Sequence, residues 1–395
     1  MRVLHVSSDF VRKAAGIREA VIGLAKAQAD LGAEIHVLGL AHPDWPQEQA
    51  DWAGIDTRVV PVLGPRRFGY APGMEKAIHA LRPDLVHLHG LWMHPGRSVL
   101  KWDIATGQPY LVSPHGMLSN IALSYGRLKK KAVSWWFQDD VFRHAAGFHA
   151  TSAGEQAEIA RYGLACRACV VPNGIAEPGL PVRPAARPRT ILSLGRIHRV
   201  KGLAHLILAW KLLEDDFPEW SVLIAGPDEG GEVARLSALI GETGVRRLAI
   251  TGPVLGAEKM SLMAGAGMFV LPSLSENFAM TVAESLILGV PVISSQGAPW
   301  SGLETEACGH WVPIGAQPLA DALRRMMDRS DEERSAMGER GRQWMLRDFG
   351  WASVAGRMTR SSTNRSGAVI FGSRGRRANA SMRAASSRGL NGLVT

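Results

Sequence analysis

The chain has 395 residues, of which 46% are hydrophobic, and this length and composition indicate a globular protein with two domains rather than one. No apolar run reaches the roughly 18 to 20 residues that span a bilayer, and the opening "MRVLHVSSDF" is too short and too polar for the core of a signal peptide. Three cysteines fit a reducing compartment. We therefore expect a cytoplasmic location.

The net charge of +9 is concentrated at the carboxyl end of the chain. From Arg357 onward there are eight arginines and no lysine, aspartate or glutamate, so that subtracting these eight leaves +1 for residues 1–356. The body of the protein is nearly neutral, which argues against a nucleic-acid partner. Residues 361–395 are rich in Arg, Ser and Gly without apolar periodicity, and we expect a disordered tail.

The first half of the chain alternates short apolar runs with helical patterns. Its first helix, "GIREAVIGLAKAQADLG", ends at Gly32, a suitable C-terminal glycine. The strand-like runs are "RVLHVSS", "EIHVLGL", "TRVVPVL", "LVHLHG", "PYLVSPHG", "GFHATS" and "ACVVPNGI". This pattern predicts a doubly wound parallel α/β sheet over residues 1–178.

A proline-rich stretch over residues 179–188 reads as a linker, because proline cannot continue a helix or a central strand. The alternation then restarts and predicts a second α/β domain over residues 189–346. Its strand-like runs are "TILSLG", "WSVLIAG", "LAITG", "MFVLPS" and "VPVISS". The sequence thus predicts two Rossmann-like, doubly wound parallel-sheet domains whose carboxyl edges face a shared cleft, where ligands usually bind.

The basic loop "LSLGRIHRVKG" follows the first strand of the second domain. Arg196 and Lys201 lie just before a helix that starts near Gly202. Helix amino termini attract anions, and the cations add full charge, so the loop is a candidate diphosphate site; a solvated basic loop is the alternative. Walker and dinucleotide-binding glycine patterns are absent from the expected places.

A second motif, "ENFAMTVAESLILGVPVISS", places Glu276 in a loop and Glu284 within the following helix. Eight residues of helix rise about 12 Å, too far for one shared-proton site but suited to the two ends of a nucleotide-diphosphate sugar. Amide groups near Asn277, Phe278 and Ala279 would meet a phosphate at the helix start. The alternative is a buried glutamate that a neighbouring basic residue neutralises.

Together, "GRIHRVKG" and the E-x7-E spacing resemble the retaining glycosyltransferases of family 4, which have the two-domain GT-B fold. The resemblance extends over residues 1 to about 356. "VVPNGI" and "SPHGML" are similar to the subgroup that builds bacterial surface polysaccharides. The resemblance implies that residues 347–360 begin a helix that crosses back to the first domain.

The resemblance also implies roles for residues of the second domain. The basic pair Arg196 and Lys201 would hold the donor diphosphate and stabilise the leaving group, and Glu284 would bind the ribose hydroxyls. Glu276 would reach the donor sugar. The amides of Asn277, Phe278 and Ala279 would lie beside it; relatives usually have glycine where Ala279 stands.

The same resemblance implies two site residues in the first domain. His115 of "SPHG" would lie near the transferred sugar, and a loop around Gly16 would approach the diphosphate. We expect catalysis by His115, Glu276, Arg196 and Lys201. No metal and no cofactor are expected, because fixed cations can stabilise a departing nucleoside diphosphate and a D-x-D motif is absent. The C-x-x-C of Cys166 and Cys169 lacks a second ligand pair.

The stretch "YGRLKKKAVSWWFQDDVFRHAAG" predicts a basic, aromatic helix. Lys129, Lys130 and Lys131 lie beside Trp135, Trp136 and Phe137 in the sequence. Such a helix suits a peripheral position on an anionic membrane surface at the inner face, where lipid-linked acceptors reside. The alternative is a solvated basic edge with its aromatic side chains in the core.

The function that these expectations favour is retaining transfer of a hexose from a UDP- or GDP-sugar to a glycan or lipid-linked acceptor in bacterial polysaccharide biosynthesis. The nucleotide sugar is a co-substrate. Alternatives are a GT-B-fold nucleotide-sugar epimerase, a phosphorylase, or an inactive donor-binding homologue.

Overall fold

A computed structural model describes residues 1–8, 10–11, 15–164, 168–179 and 188–362. Three expectations fall wholly or largely outside these residues: the linker at 179–188, the tail at 361–395, and Cys166 of the C-x-x-C pair. Cys169 is a free thiol within the described part. No helix in the described segments is long and apolar enough to cross a bilayer.

The strands are β1 (Arg2–Ser7), β2 (Glu34–Leu40), β3 (Asp56–Val60), β4 (Leu85–His89), β5 (Tyr110–Ser113), β6 (Gly147–Ala150), β7 (Ala168–Val170), β8 (Thr190–Leu194), β9 (Ser221–Ala225), β10 (Leu248–Thr251), β11 (Met268–Leu271), β12 (Val292–Ser295) and β13 (Gly309–Val312). The helices are α1 (Ala15–Asp30), α2 (Trp45–Glu48), α3 (Gly73–Leu81), α4 (His94–Thr106), α5 (Asn120–Ser124), α6 (Arg127–Val133), α7 (Asp139–His144), α8 (Ala153–Arg161), α9 (Leu203–Lys211), α10 (Glu232–Thr243), α11 (Gly256–Gly265), α12 (Met280–Ile287), α13 (Gly302–Thr305), α14 (Ala316–Met327), α15 (Asp331–Trp344) and α16 (Trp351–Ser362).

Both predicted parallel sheets are present. The order of the first is β3-β2-β1-β4-β5-β6-β7, and the order of the second is β10-β9-β8-β11-β12-β13. Every described pairing is parallel. The strands read as apolar runs because helices cover both faces of such a sheet. The fold-class prediction is confirmed, and β13 is a strand that the sequence reading missed.

The chain divides into two compact units. One contains Met1–Gly174 and the segment that begins at Trp351; the other contains Ile175–Gly350. Helix α16 packs against α1, and the Trp351 ring lies where a side chain on Gly23 or Gly174 would collide with it. Val354 and Met358 of α16 join an apolar cluster with α1. Helix α16 therefore belongs to the first unit.

In each unit the strand order reverses beside the first strand. The reversal lies between β1 and β4 in the first sheet, and between β8 and β11 in the second. The helices that follow these two neighbouring strands lie on opposite faces of the sheet, which leaves a crevice at the carboxyl edge where ligands bind in open α/β sheets. In the second unit, "GRIHRVKG" follows β8, and the segment with Glu276 follows β11.

Helix α15 approaches the end of α12 at two glycines. A Cβ added to Gly338 would lie 1.8 Å from the carbonyl oxygen of Gly289, the second residue after α12. Gly338 is therefore required for close packing rather than for a positive φ. Gly241, inside α10, has no atom within 4 Å of the position its Cβ would occupy.

We predict opposite effects for two Gly→Ala changes in helices. Gly338→Ala should lower the free energy of unfolding by about 1 to 3 kcal/mol, because the methyl group forces α15 away from Gly289. Gly241→Ala should raise it by up to about 1 kcal/mol through helix propensity. Urea unfolding of both variants tests this. Equal effects would show that the α12–α15 packing is looser than described.

Candidate active site in the second unit

The loop after β8 holds the predicted basic residues in a tight turn. Gly202 has φ 62°, and a Cβ there would lie 2.2 Å from the carbonyl oxygen of Pro272, in the loop after β11. Only glycine allows the loops after β8 and β11 to approach this closely. The turn carries Lys201 to the segment after β11 at the switch point of the sheet.

Lys201 forms an ion pair with Glu276. Its Nζ lies 2.6 Å from Oε1 of Glu276, and the two side chains are only 16% and 12% exposed. The Ser273 hydroxyl donates to the same oxygen at 2.6 Å, and the backbone N–H of Glu276 donates to the carbonyl oxygen of Gly297. The structure thus brings the two predicted residues together and fixes one carboxylate oxygen of Glu276.

Arg196, the other predicted cation, is more exposed. Its guanidinium donates to Glu229 at 2.6 Å, with 60% of the arginine side chain accessible. An exposed pair of this kind contributes about 0 to 1 kcal/mol, so the guanidinium can exchange Glu229 for a ligand at little cost.

Glu284 has a protein partner that the sequence reading missed. Lys259 of α11 donates to its Oε1 at 2.6 Å, and the two side chains are 24% and 17% exposed. A neighbouring basic residue is what the alternative interpretation of Glu284 expects, and the role of Glu284 in binding a ribose stays a prediction. The other oxygen of Glu284, Oε2, is buried and has no hydrogen-bond partner among the residues that the structure describes. The carboxylate is half satisfied, which leaves one oxygen available to a ligand donor.

The start of α12 has the strained backbone that the glycine preference of relatives implies. Ala279 is its N-cap residue, with φ 66° and ψ 73°, in the left-handed region that costs a residue with a Cβ about 1 kcal/mol or more. Phe278 is buried against Trp300, whose Nε1 donates to the Phe278 carbonyl oxygen at 2.5 Å. Asn277 is partly exposed beside them. Burial of Phe278 therefore anchors this turn.

The remaining predicted residues, His115 and Gly16, belong to the first unit. Gly16 lies in the first turn of α1 with no atom near its missing side chain. His115 follows β5 and has φ 52°. The buried Glu155 accepts from the next backbone N–H, that of Gly116, at 2.6 Å, and its second oxygen accepts from Thr151. Glu155 is a residue that the sequence reading did not single out.

Histidines line the central strands of the first sheet. His5, His87 and His89 are almost fully buried, and burial holds the pKa of each below its ordinary value, to about 4 for His5. Burial also lowers the pKa of His115 to about 3 and that of His149 below its usual range. These rings are therefore neutral at pH 7.

His5, His87 and His89 each place one ring nitrogen within 4.8 Å of the others, as three metal ligands could. Both nitrogens of His5 and both of His89 already lie within hydrogen-bond distance of protein atoms. A metal ion would need lone pairs that these contacts use, so we assign the cluster to hydrogen bonding. The expected absence of a metal stays a prediction.

Comparisons with known proteins identify the family of the chain. Residues 15–174 match the family described as "Glycosyl transferase 4-like domain", and residues 182–344 match "Glycosyl transferases group 1". The GDP-mannose:cellobiosyl-diphosphopolyprenol alpha-mannosyltransferase of Xanthomonas campestris is 26% identical over 371 residues, covering 90% of this chain and 95% of the relative. The D-inositol 3-phosphate glycosyltransferase of an Arthrobacter species is 27% identical over 298 residues, 69% of each chain.

The crystal structure of Anabaena HepE in complex with UDP and glucose has a TM-score of 0.72 to this chain at 17% identity, and the match covers 91% of this chain and 98% of HepE. At that identity the likeness shows the fold. Fold, site and family matches together define a glycosyltransferase. The chain belongs to glycosyltransferase family 4 and has the GT-B fold.

We predict that acidification destabilises the first unit. The unfolded chain binds a proton at each histidine near pH 6.5, whereas folded His5 and His115 do so only near 4 and 3, so stability present above pH 6.5 is lost as the pH falls. Each such histidine contributes up to about 1.4 kcal/mol per pH unit. Urea unfolding between pH 7 and 5 should show this slope, and His5→Gln should reduce it. A flat profile would contradict neutral burial.

Proposed function

We propose that this glycosyltransferase moves a hexose, with retention of anomeric configuration, from a nucleotide-diphosphate sugar to a lipid-linked acceptor in polysaccharide biosynthesis. One observation carries the proposal. Glu276 and Glu284 are each held by a lysine through Oε1, and Oε2 of Glu284 has no hydrogen bond among the described residues. A carboxylate oxygen only accepts, so the two fixed carboxylates are suited to the hydroxyls of a sugar and a ribose.

Between these two carboxylates lies the start of α12, which suits the diphosphate. Amide groups around Ala279 precede the helix, and a helix amino terminus attracts phosphate. Lys201 and Arg196 add positive charge from the loop after β8. When the sugar–phosphate bond breaks, negative charge grows on the departing diphosphate, and these cations would stabilise it without rearrangement. This arrangement supports transfer without a bound metal.

A retaining reaction without a covalent intermediate fits the same residues. Glu276 is committed to Lys201 and Ser273, which stabilises its carboxylate and lowers its power as a nucleophile. The departing phosphate would instead accept the proton of the acceptor hydroxyl on the same face of the sugar. The new glycosidic bond then forms on the face that the diphosphate leaves.

GDP-mannose is the donor to test first, and a polyprenol-diphosphate sugar is the acceptor class. The relatives from Xanthomonas campestris and Komagataeibacter xylinus are both named GDP-mannose:cellobiosyl-diphosphopolyprenol alpha-mannosyltransferase. They match 90% of this chain at 26% and 24% identity. Comparing GDP-mannose with UDP-glucose as donors would test the proposed base and sugar together.

Glu284→Ala should weaken binding of GDP at least about tenfold, because a charge-assisted hydrogen bond to a ribose hydroxyl is lost. The free energy of unfolding should change by no more than about 1 kcal/mol, since the Lys259 pair is partly exposed. Isothermal titration and urea unfolding measure the two effects. Glu219→Gln is the control. This ion-paired glutamate precedes β9 and therefore lies at the amino-terminal ends of the strands, away from the candidate site. Unfolding without a binding defect would make Glu284 structural.

Incubation of the enzyme with the donor alone distinguishes transfer from epimerisation. With donor alone, a glycosyltransferase at most hydrolyses it slowly, whereas an epimerase converts it into a different sugar nucleotide. Loss of donor turnover in Glu276→Ala, with binding of GDP retained, is the expected result. Formation of a new sugar nucleotide without acceptor would contradict the proposal that the enzyme transfers the sugar to an acceptor.

We also propose that the first unit docks on an anionic membrane through an aromatic patch, defined as Leu128, Trp135 and Trp136. Their exposed fractions are 83%, 88% and 56%. Leu128 and Trp135 are seven residues apart, two helical turns, and the exposed Lys131 lies between them in the sequence. Phe137, which follows the two tryptophans in the sequence, is instead buried in the core.

Charge and shape support a lipid surface as the occupant of the aromatic patch. Arg97 lies over the Trp136 ring at 5.0 Å, and Lys129 and Lys131 are exposed beside it. Each basic residue near an anionic surface contributes about 1 kcal/mol, and tryptophan favours the headgroup region. A lipid-linked acceptor would be reached from such a position.

Trp135→Ser with Trp136→Ser should abolish most flotation with vesicles that contain phosphatidylglycerol. Lys129→Glu with Lys131→Glu should do the same at low salt, because the attraction is partly electrostatic. Leu63→Ser, at a 56% exposed leucine elsewhere in the unit, is the control and should float like the wild type. If the wild type floats with neither anionic nor neutral vesicles, the patch does not bind lipid.

A further inference from the structure

A chain of hydrogen bonds runs through the first unit from α1 to His115. Gln28 Oε1 lies 2.9 Å from His5 Nε2, and His5 Nδ1 lies 3.0 Å from His89 Nε2. His89 Nδ1 lies 3.0 Å from Nε2 of His115. Gln28, His5 and His89 are all at least nine-tenths buried, whereas His115 is partly exposed.

The end of this chain at Gln28 fixes every proton in it. The amide oxygen of Gln28 can only accept, so His5 carries its proton on Nε2. A neutral imidazole has one N–H, and His5 Nδ1 therefore accepts from the Nε2–H of His89. His89 Nδ1 in turn accepts from the Nε2–H of His115. The lone pair of His115 Nδ1 is what remains.

A second chain in the same sheet is separate from the first. His87 Nε2 lies 2.6 Å from the Ser113 hydroxyl, which lies 2.8 Å from His149 Nδ1. His149 Nε2 donates to the carbonyl oxygen of Val171 at 2.7 Å. This chain ends on a backbone acceptor and shares no hydrogen bond with His115, so it offers a matched control.

The backbone of His115 is fixed independently of its side chain. Its left-handed φ of 52° costs free energy, and the hydrogen bond from Gly116 to the buried Glu155 offsets it. Nδ1 of His115 forms no hydrogen bond with any residue that the structure describes. A small cavity beside this ring is also lined by His89, His149 and Asn173. The backbone at His115 and the Nε2 of its ring are thus both held in place, whereas Nδ1 is not bonded to any described residue.

We propose that Gln28, His5 and His89 are positioning residues that hold His115 as its Nε2–H tautomer, so that Nδ1 accepts a hydrogen bond from a ligand hydroxyl. A neutral ring of this tautomer cannot donate at Nδ1, so it does not bind a phosphate oxygen. That this hydroxyl belongs to a sugar rests on the proposed function. The tautomer of His115 does not depend on that function.

Nitrogen-15 NMR of the full-length, histidine-labelled protein tests the tautomer without substrate. Proton couplings and ring nitrogen shifts distinguish Nε2–H from Nδ1–H, and His115→Gln assigns the signals. At pH 7 we expect one neutral His115 species with its proton on Nε2. An Nδ1–H ring or an imidazolium would overturn the proposal, whatever the activity. A reversed amide at Gln28 would give that Nδ1–H result.

Two variants then test the positioning chain. Gln28→Met removes the terminal acceptor at similar volume, and His89→Leu removes the partner of His115. Each should give a mixture of His115 tautomers and lower kcat by about fivefold, the effect of one neutral hydrogen bond, with little change in the KM for the donor. Ser113→Ala, which breaks the second chain, should leave the tautomer of His115 single.

The outcomes separate this inference from the proposed function. If Gln28→Met and His89→Leu lose activity but keep a single Nε2–H tautomer, their role is structural and the proposal is wrong. If the wild type binds no nucleotide sugar, the proposed function fails, while the tautomer measured in the free protein decides the positioning chain alone. If only phosphate, and not a sugar hydroxyl, shifts the Nδ1 resonance, the proposed ligand chemistry is wrong.

Discussion

The second unit depends on one repeated interaction, a lysine bound to a single oxygen of a glutamate. A carboxylate removed from water costs several kcal/mol unless it is paired, and Lys201 and Lys259 provide that pairing for Glu276 and Glu284. Neither pair satisfies the whole carboxylate. The lysine makes each partly buried carboxylate tolerable, and at Glu284 the second oxygen has no hydrogen bond to any described residue. A fully satisfied pair would be more stable and would have no capacity left for a ligand.

The topology of the sheet places these groups, and glycine permits the approach. Loops after β8 and β11 leave the sheet at its switch point, and Gly202 lets one reach the backbone of the other at Pro272. Gly226 does the same for the loop after β9, where a Cβ would lie 1.8 Å from the Gly195 carbonyl oxygen. Lys201 and Glu276 are thus carried by loops whose geometry is fixed by backbone contact rather than by the charges themselves, whereas Glu284 and Lys259 lie on helices.

The sequence predicted the strands better than it predicted which side chains form ion pairs with one another. Apolar runs bounded by glycine and proline mark β1 to β12, most clearly in strands such as β4 and β11, where burial on both faces constrains every residue. It did not predict Lys259, because a pair 25 residues apart depends on how α11 and α12 pack, and helical spacing does not encode that. The alternation of His87 and His89 did indicate two histidines on one face of β4, a signal that was available and unused. Phe137 is buried and Trp135 is exposed because residues two positions apart lie on nearly opposite faces of a helix.

The two units use opposite electrostatics for chemically different demands. Lys201 and the start of α12 present fixed positive charge, which suits an anionic diphosphate. The histidine chain presents no charge at pH 7, because burial lowers the pKa of His115 to about 3, and in the proposed tautomer the His115 Nε2–H donates to His89. A cationic ring would attract phosphate oxygens wherever they approached it. In the proposed tautomer, a neutral ring whose Nδ1 carries a lone pair would instead favour a hydroxyl donor over a phosphate oxygen. Under the proposed function, neutrality at His115 would contribute to recognition of the donor alongside the charge at Lys201.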